Sequence, residues 1–365
     1  MTILIFLLVL TVLVLIHELG HFLVARKFGI KVEEFGFGFP PRAFGIKRGE
    51  TIYSINWLPI GGFVKLYGED EAGGGKLGKG QKVKVADESR AFYAKPVWQR
   101  ALVVVAGVVM NFLLAVVIIS YIFTQGVTVP AGEVKVTETV SDSPAALAGL
   151  VKDDVITKVD GSEVKTVPGL RKKIQPKIEE PIILTVKHQN ETKDVTLTTK
   201  KETVDGQTVG IIGVRLEDTV VKKYSLLEAP FEGTKEALRV SWLTVTSLAT
   251  IPWARLTSCP AGVAGPVGVA QLTGEAVQFG PLAVLTIAGF LSLNLAVLNI
   301  LPIPALDGGR LFFILFEMVT RRKVNPHLER YVHSIGMILI LILAAMISFC
   351  DIARIFSGQP ILPSP

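Results

Sequence analysis

The chain has 365 residues, of which 50% are hydrophobic and 19% charged, and its formal net charge is +6. Soluble globular chains carry about 25% charged residues, so this composition excludes a disordered chain and argues against an ordinary soluble enzyme. On so apolar a chain, surplus lysine and arginine point to an anionic membrane leaflet and away from nucleic acid.

A membrane span needs about 20 mostly apolar residues. Segments 1–24, 97–123, 281–301 and 332–349 meet that requirement. The first is expected to be a span and not a signal peptide: no positive charge precedes its apolar run, and no small-residue cleavage pattern follows it. Arg26, Lys27, Lys31, Arg42, Lys47 and Arg48 follow it instead. By the positive-inside rule they place the stretch after span one in the cytoplasm and the N-terminus outside. Alternation puts the residues between spans two and three outside. Arg321, Arg322, Lys323 and Arg330 mark a second cytoplasmic stretch, and the C-terminus is expected outside.

Thr51–Tyr67 has β-formers on both sides of Pro59-Ile60-Gly61-Gly62, which predicts a hairpin turning at the glycines. It is too apolar for a free loop, so it is expected to dip into the membrane edge or to pack under the spans. Residues 73–80, GGGKLGKG, read as a flexible tract without a fold of its own. From 127 to 217 the composition becomes that of a soluble domain. Short β-branched runs at 133–140, 154–159, 182–187, 193–199 and 211–216 alternate with polar turns, and a helix is predicted over 168–178. Residues 226–256 read as a long amphipathic or partly buried helix, a weak candidate for a fifth span because it contains Pro252. The expected division is 1–126 (two spans, motif and hairpin), 127–217 (soluble domain), 218–280 (amphipathic helix and linker) and 281–365 (two spans). Cys259 and Cys350 lie outside any CxxC, which excludes a disulfide framework and a cysteine zinc site and leaves two inert thiols as the expectation.

The sharpest signal is His17-Glu18-Leu19-Gly20-His21 in the first span. On a helix, residues four apart share a face, so two imidazoles can hold one Zn²⁺ at about 2.0–2.1 Å. Glu18 falls beside the metal, where it can take a proton from water. Ionisable groups within a span cost about 2.5–3.5 kcal/mol each on insertion scales, and something must offset that cost. The bland alternative is a neutral pair of histidines near the cytoplasmic edge. Catalytic zinc usually has three protein ligands. The remaining histidines, His188, His327 and His333, lie in the soluble domain or flank the fourth span, so the third ligand is sought among acids embedded in another span. Asp307 is that acid, framed by Pro302, Pro304, Gly308 and Gly309. Broken helix at membrane depth is tolerated where it is buried in protein or lines a wet cavity. The alternative for Asp307 is an N-cap for a helix over 310–319.

HELGH in the first span and NLAVLNILPIPALDGGR at 294–310 resemble the site-2 protease family of intramembrane zinc metalloproteases, most closely the bacterial regulator-of-sigma-E type. GFGF at 36–39, GGFVKLYGE at 61–69, PVWQRALVVVAGVVMNFLLA at 96–115 and AGPVGVAQL at 264–272 extend the likeness over nearly the whole chain. The segment SPAALAGL at 143–150, with Asp154-Val155-Ile156 and Val159-Asp160-Gly161, resembles a PDZ domain, departing at Asp153, where the family usually has glycine. The second span has Val108 after Gly107, where a proline is common. Together these imply an α-helical polytopic membrane protein with about four transmembrane helices, an inserted, mostly-β PDZ domain and a membrane-associated β-hairpin. The resemblance implies His17, His21 and Asp307 as zinc ligands and Glu18 as catalytic base. It implies that Asn294 and Asn299 contact substrate, and that the hairpin offers an edge strand to it. Five residues apart, those asparagines are about 140° apart around a regular helix, so they have separate roles or the helix is distorted; interhelical hydrogen bonding is the alternative for both. The implied partners are single-span proteins in the lipid bilayer, such as pre-cleaved anti-sigma factors or signal peptides, and the implied location is the bacterial cytoplasmic (inner) membrane with the PDZ domain outside, its ligand open. The best-known member of the family has two PDZ domains, whereas this chain has room for one. Two other classes compete: a non-catalytic PDZ scaffold, which leaves the embedded HExxH without a purpose, and a metal transporter, against which stands the lack of internal repeats.

Overall fold

The computed structural model describes residues 2–69, 87–189, 191–204, 207–250, 259 and 263–357. The glycine-rich tract 73–80 and Pro252 lie outside these residues. The chain forms two compact units, 1–124 with 225–365, and 125–224.

The first unit begins with α1 (Thr2–Lys27), then β1 (Val32–Arg48) and β2 (Thr51–Leu66), and α2 (Val97–Gln125). Among the described residues, four helices are long and apolar enough to cross a membrane: α1, α2, Pro281–Ile300 and Pro326–Ser357. They coincide with the four expected segments. At 1.5 Å per residue, even the 20-residue helix covers about 30 Å, the thickness of the hydrocarbon layer. α1 and α2 approach closely at Gly20, where a Cβ would lie 2.4 Å from the Ala106 carbonyl oxygen.

The sheet corrects the predicted hairpin. Its tight turn falls at Gly49-Glu50, with Arg48 paired to Thr51. Phe35 pairs with both Val64 and Tyr53, so the 32–37 stretch lies between the two arms that were expected to pair with each other. The two-residue turn closes 42–48 onto 51–56 locally, which costs little loop entropy, and 62–66 becomes the outer arm. The sheet packs against the spans as expected: Val32, Leu66, Phe22, Val103 and Ile314 share one buried cluster.

After the second unit come α5 (Ala229–Thr250) and α6 (Pro266–Phe279), the latter a helix where a linker was expected. The last helices are α7 (Pro281–Ile300), α8 (Asp307–Thr320) and α9 (Pro326–Ser357). The cysteines also depart from expectation: Cys259 and Cys350, 91 residues apart, form a disulfide. Buried polar groups on α9 bring the two together. The Arg354 guanidinium donates to the Cys259 and Val263 carbonyls at 2.9 Å each. Asp351 accepts from the Gly265 and Gly268 amides at 2.9 and 2.8 Å. These contacts satisfy the first amides of α6, which otherwise lack partners.

The second unit holds β3 (Val127–Thr139), α3 (Pro144–Leu147), β4 (Val155–Val159), β5 (Ser162–Glu163), α4 (Val167–Ile174), β6 (Pro181–His188), β7 (Glu191–Thr198), β8 (Lys200–Val204), β9 (Gln207–Ile211) and β10 (Val214–Lys222). The antiparallel sheet runs β10-β3-β4-β6-β7, with β5 beside β4 and β8–β9 as a separate hairpin. Alternate residues Ile182, Leu184 and Val186 point into its core, the period-2 pattern of a half-buried strand. The predicted run 211–216 is split between β9 and β10, and the β8–β9 hairpin was not foreseen. Asp153 adopts φ 74°, the left-handed turn where glycine is usual, and pairs with Lys135 at 2.7 Å. In the β4–β5 turn, Asp160 accepts from the Ile183 amide at 2.8 Å and pairs with Lys177. These partners hold its carboxyl below the usual carboxylate range. The contribution is therefore complete at neutral pH and is lost as pH falls through that lowered value.

Candidate metal centre

α1 carries the motif on its inner face, with His17 and His21 each 8% exposed. The rings meet edge to face with centroids 4.8 Å apart, and their Nε2 atoms lie 3.2 Å apart. Asp307 comes from the first turn of α8, after the broken stretch 301–306. Its Oδ2 lies 2.9 Å from His17 Nε2 and 3.3 Å from His21 Nε2. The N-cap position of α8 is Leu306, and no side chain caps the helix, so the N-cap reading of Asp307 fails. The loop that delivers Asp307 is held by His333, whose Nδ1 accepts from the Ala305 amide at 3.0 Å. Ala305 itself has φ 79°, a conformation that costs about 1–3 kcal/mol in a non-glycine residue.

The donor set fits a cation. His21 Nδ1 lies 2.7 Å from the Val103 carbonyl oxygen, which can only accept, so the ring's proton belongs on Nδ1 in its neutral form. Nε2 then presents a lone pair toward the carboxylate oxygen of Asp307. His17 has a longer counterpart in Asn111, which is fully buried. The Asn111 amide stands 3.5 Å from His17 Nδ1, and its Oδ1 has no partner. Exchanging amide O and N gives that oxygen the Nδ1–H to accept and likewise frees Nε2. Two imidazole lone pairs and a carboxylate oxygen then converge, an arrangement that repels unless a positive charge sits among them. This N₂O set is of the kind that catalytic zinc takes, with a fourth position left open.

Gly107 of α2 makes room for the pair: a Cβ there would lie 2.4 Å from His21 Nε2 and 2.7 Å from His17 Cε1. The other face of α1 meets the sheet. A Cβ on Gly62 would lie 3.4 Å from Glu18 Cγ and 3.3 Å from Val14, so the half-buried Glu18 lies against the outer arm of the sheet. The predicted asparagines are not part of the cluster. Asn294 Nδ2 donates to the Phe290 carbonyl of its own helix at 2.9 Å, and Asn299 is half-buried near the end of α7. Among the described residues no hydrogen bond joins either to the histidines or Asp307.

Sequence reading missed Asn111, Gly107 and the Val103 carbonyl. Asn111 left a usable signal, being the one polar side chain between Arg100 and Ser120 in an apolar helix. Its backbone carbonyl accepts from Ser292 Oγ at 2.7 Å, which ties α2 to α7 beside the site. Supports of metal-bound histidines are typically worth about 10–100-fold in metal affinity. Asn111→Ala is expected to lose zinc affinity within that range, read by competition with a chromophoric chelator. Unchanged affinity would remove Asn111 from this role.

Helices able to cross a membrane, with an HExxH motif and an aspartate converging on one buried cluster, define a class: a polytopic membrane metallopeptidase. Residues 5–343 match the family model of Peptidase family M50, and the chain belongs to that family. It is 34% identical over 348 residues to a Clostridium perfringens protein provisionally named as a zinc metalloprotease, covering 95% of this chain and 97% of the relative. It is 29% identical over 424 residues to the regulator of sigma-W protease RasP of Bacillus subtilis, covering 97% and 99%. Among solved structures, the PDZ domain of an SdrC-like protein from Listeria monocytogenes aligns at 27% identity, covering 25% of this chain and 95% of its own, with a TM-score of 0.22.

Proposed function

We propose that the chain is an intramembrane zinc endopeptidase that cleaves the transmembrane segments of single-span membrane proteins, with His17, His21 and Asp307 holding the metal. The observation that carries this reading is the convergence of His17 Nε2, His21 Nε2 and Asp307 Oδ2 within 4.8 Å of one another, from two separate helices, one of them long and apolar enough to cross a membrane. Zinc, when bound, polarises the scissile carbonyl and makes water acidic enough to be deprotonated near neutral pH. Glu18 takes that proton on its carboxylate and delivers it to the leaving amine nitrogen. Asn294 and Asn299 hold the substrate backbone as it passes α7; the Asn294 bond to the Phe290 carbonyl uses one N–H and leaves the second N–H and Oδ1 for that role.

A peptide bond in a helical span is covered by its own hydrogen bonds, so the substrate must unwind where it is cut. The 62–66 arm borders Glu18 and can replace the lost bonds by strand addition, which hydrocarbon cannot do. Anti-sigma factors are a substrate class consistent with the B. subtilis relative's name, and signal-peptide remnants are a second. The protein resides in the bacterial cytoplasmic membrane with residues 127–217, a PDZ domain, outside. Two features at opposite ends support that orientation. Basic residues cluster after α1 and α8, whereas the Cys259–Cys350 disulfide belongs to an oxidising compartment.

The test is cleavage of a tagged single-span segment by the purified full chain in detergent. Hydrolysis should stop when a strong chelator removes the metal and return with added zinc. Chelator-insensitive cleavage, or intact substrate across a panel of single-span segments with zinc present, would overturn the reading.

A further inference from the structure

Arg310 stands one turn beyond Asp307 on α8, and its guanidinium pairs with Glu69 across 241 residues of sequence. Glu69 is the last described residue of the stretch that follows the outer arm of the sheet. Its second carboxylate oxygen, Oε2, accepts from the Leu66 amide at 3.2 Å, and the Glu69 amide donates back to the Leu66 carbonyl at 3.2 Å. One carboxylate thus bonds the end of strand 62–66 on one side and the helix bearing Asp307 on the other. The pair is mostly sheltered, with side-chain exposures of 28% for Arg310 and 15% for Glu69. The neighbouring arginine in the same cavity, Arg100, is engaged by Glu317 at 2.8 Å and does not compete for Glu69.

We propose that Arg310 and Glu69 are a positioning pair that holds strand 62–66 in register with Asp307, so that a substrate strand added to that arm meets Glu18 and the metal at one fixed height. The inference rests on the proposed peptidase reading and adds residues to it. The metal ligands come from α1 and α8, whereas the substrate is held by the sheet. The reacting carbonyl therefore reaches the metal only if the sheet and α8 keep a constant offset. Misplacement of about 1 Å costs on the order of 100-fold in rate. A charged, sheltered pair with one member bonded to backbone fixes such an offset more tightly than apolar contact, which tolerates sliding.

The test uses the full chain in detergent with Arg310→Met, Arg310→Lys, Glu69→Gln and the Arg310→Met/Glu69→Met double variant. Three quantities are read: zinc content, kcat and KM on a single-span substrate, and amide hydrogen exchange across 62–69. Arg310→Met and Glu69→Gln should keep their zinc, lose at least ~10-fold in kcat with KM changed less than ~3-fold, and exchange faster at 62–69. Arg310→Lys should recover part of both losses, and the double variant should be no worse than Arg310→Met. The proposal is overturned if exchange at 62–69 stays unchanged, if kcat holds while exchange rises, or if zinc is lost in step with activity. Should Arg310→Met fail to fold, Arg310→Lys and Glu69→Gln carry the same comparison. A parent protein that cleaves nothing refutes the peptidase reading, whereas the exchange data alone report whether the pair holds the strand.

Discussion

Glu18→Gln is expected to bind zinc as tightly as the parent and to cleave at least about 100-fold more slowly, with losses up to about 10⁴-fold within the range of general-base catalysis. The substitution preserves the shape of a side chain whose stem lies against Gly62. It leaves His17, His21 and Asp307 in place, so binding of metal and of an extended substrate should both survive. What is lost is the only carboxylate of the HExxH motif, the group able to accept a proton from water and pass it to the amine. Initial rates on a single-span substrate, alongside metal content, separate these terms. A Glu18→Gln protein with parental rates would show that another group takes the proton and would remove Glu18 as the catalytic base. Parallel loss of zinc would mean that Glu18 is structural.

The second large effect is expected at a residue with no side chain. Gly107→Ala places a methyl group where His21 Nε2 stands at 2.4 Å and His17 Cε1 at 2.7 Å. The rings cannot yield freely, because Val103 and Asn111 hold their far nitrogens. Moving them breaks those supports, and the nitrogens leave the Asp307 oxygen. Zinc affinity should fall by at least about 100-fold, the upper end for loss of such supports, and cleavage should fall with it. Alanine is the better helix former by about 1 kcal/mol, but overpacking a buried site costs about 1–3 kcal/mol, so the metal-free protein should be modestly less stable in thermal unfolding. A loss of zinc affinity far larger than this loss of stability is the signature to seek. Parental zinc affinity in Gly107→Ala would place the metal away from the imidazoles.

Much of this site was legible because its parts are local. His17 and His21 announce themselves by spacing on one helix, and Asp307 by the prolines and glycines that break the helix around it. The spans were equally plain, since about 20 apolar residues in a row have few other uses. The elements that escaped depend on contacts between distant segments. Nothing in Thr51–Leu66 reveals that 32–37 inserts between its arms, because the alternation of β-formers is the same with either partner. Cys259 and Cys350 are joined through buried Asp351 and Arg354, charged residues whose partners are backbone groups about 90 residues away. The supports of the metal ligands divide in the same way. Asn111 was visible as a lone polar residue in an apolar helix, whereas a backbone carbonyl such as that of Val103 has no sequence signature. Asn294 and Asn299 rest on likeness to the family: they lie on α7, and among the described residues no hydrogen bond joins them to the histidines or Asp307.

The central claim is that one zinc ion is held by two imidazoles and one carboxylate from α1 and α8. X-ray absorption at the zinc edge of the purified full chain tests it directly, because it reports the atoms bonded to the metal. With metal analysis giving one zinc per chain, the expected spectrum has two imidazole nitrogens and light oxygen donors at about 2.0–2.2 Å, no sulfur, and the loss of one oxygen donor or of the metal itself in Asp307→Ala. Sulfur in the first shell, a single imidazole, or a spectrum unchanged in Asp307→Ala would contradict the account.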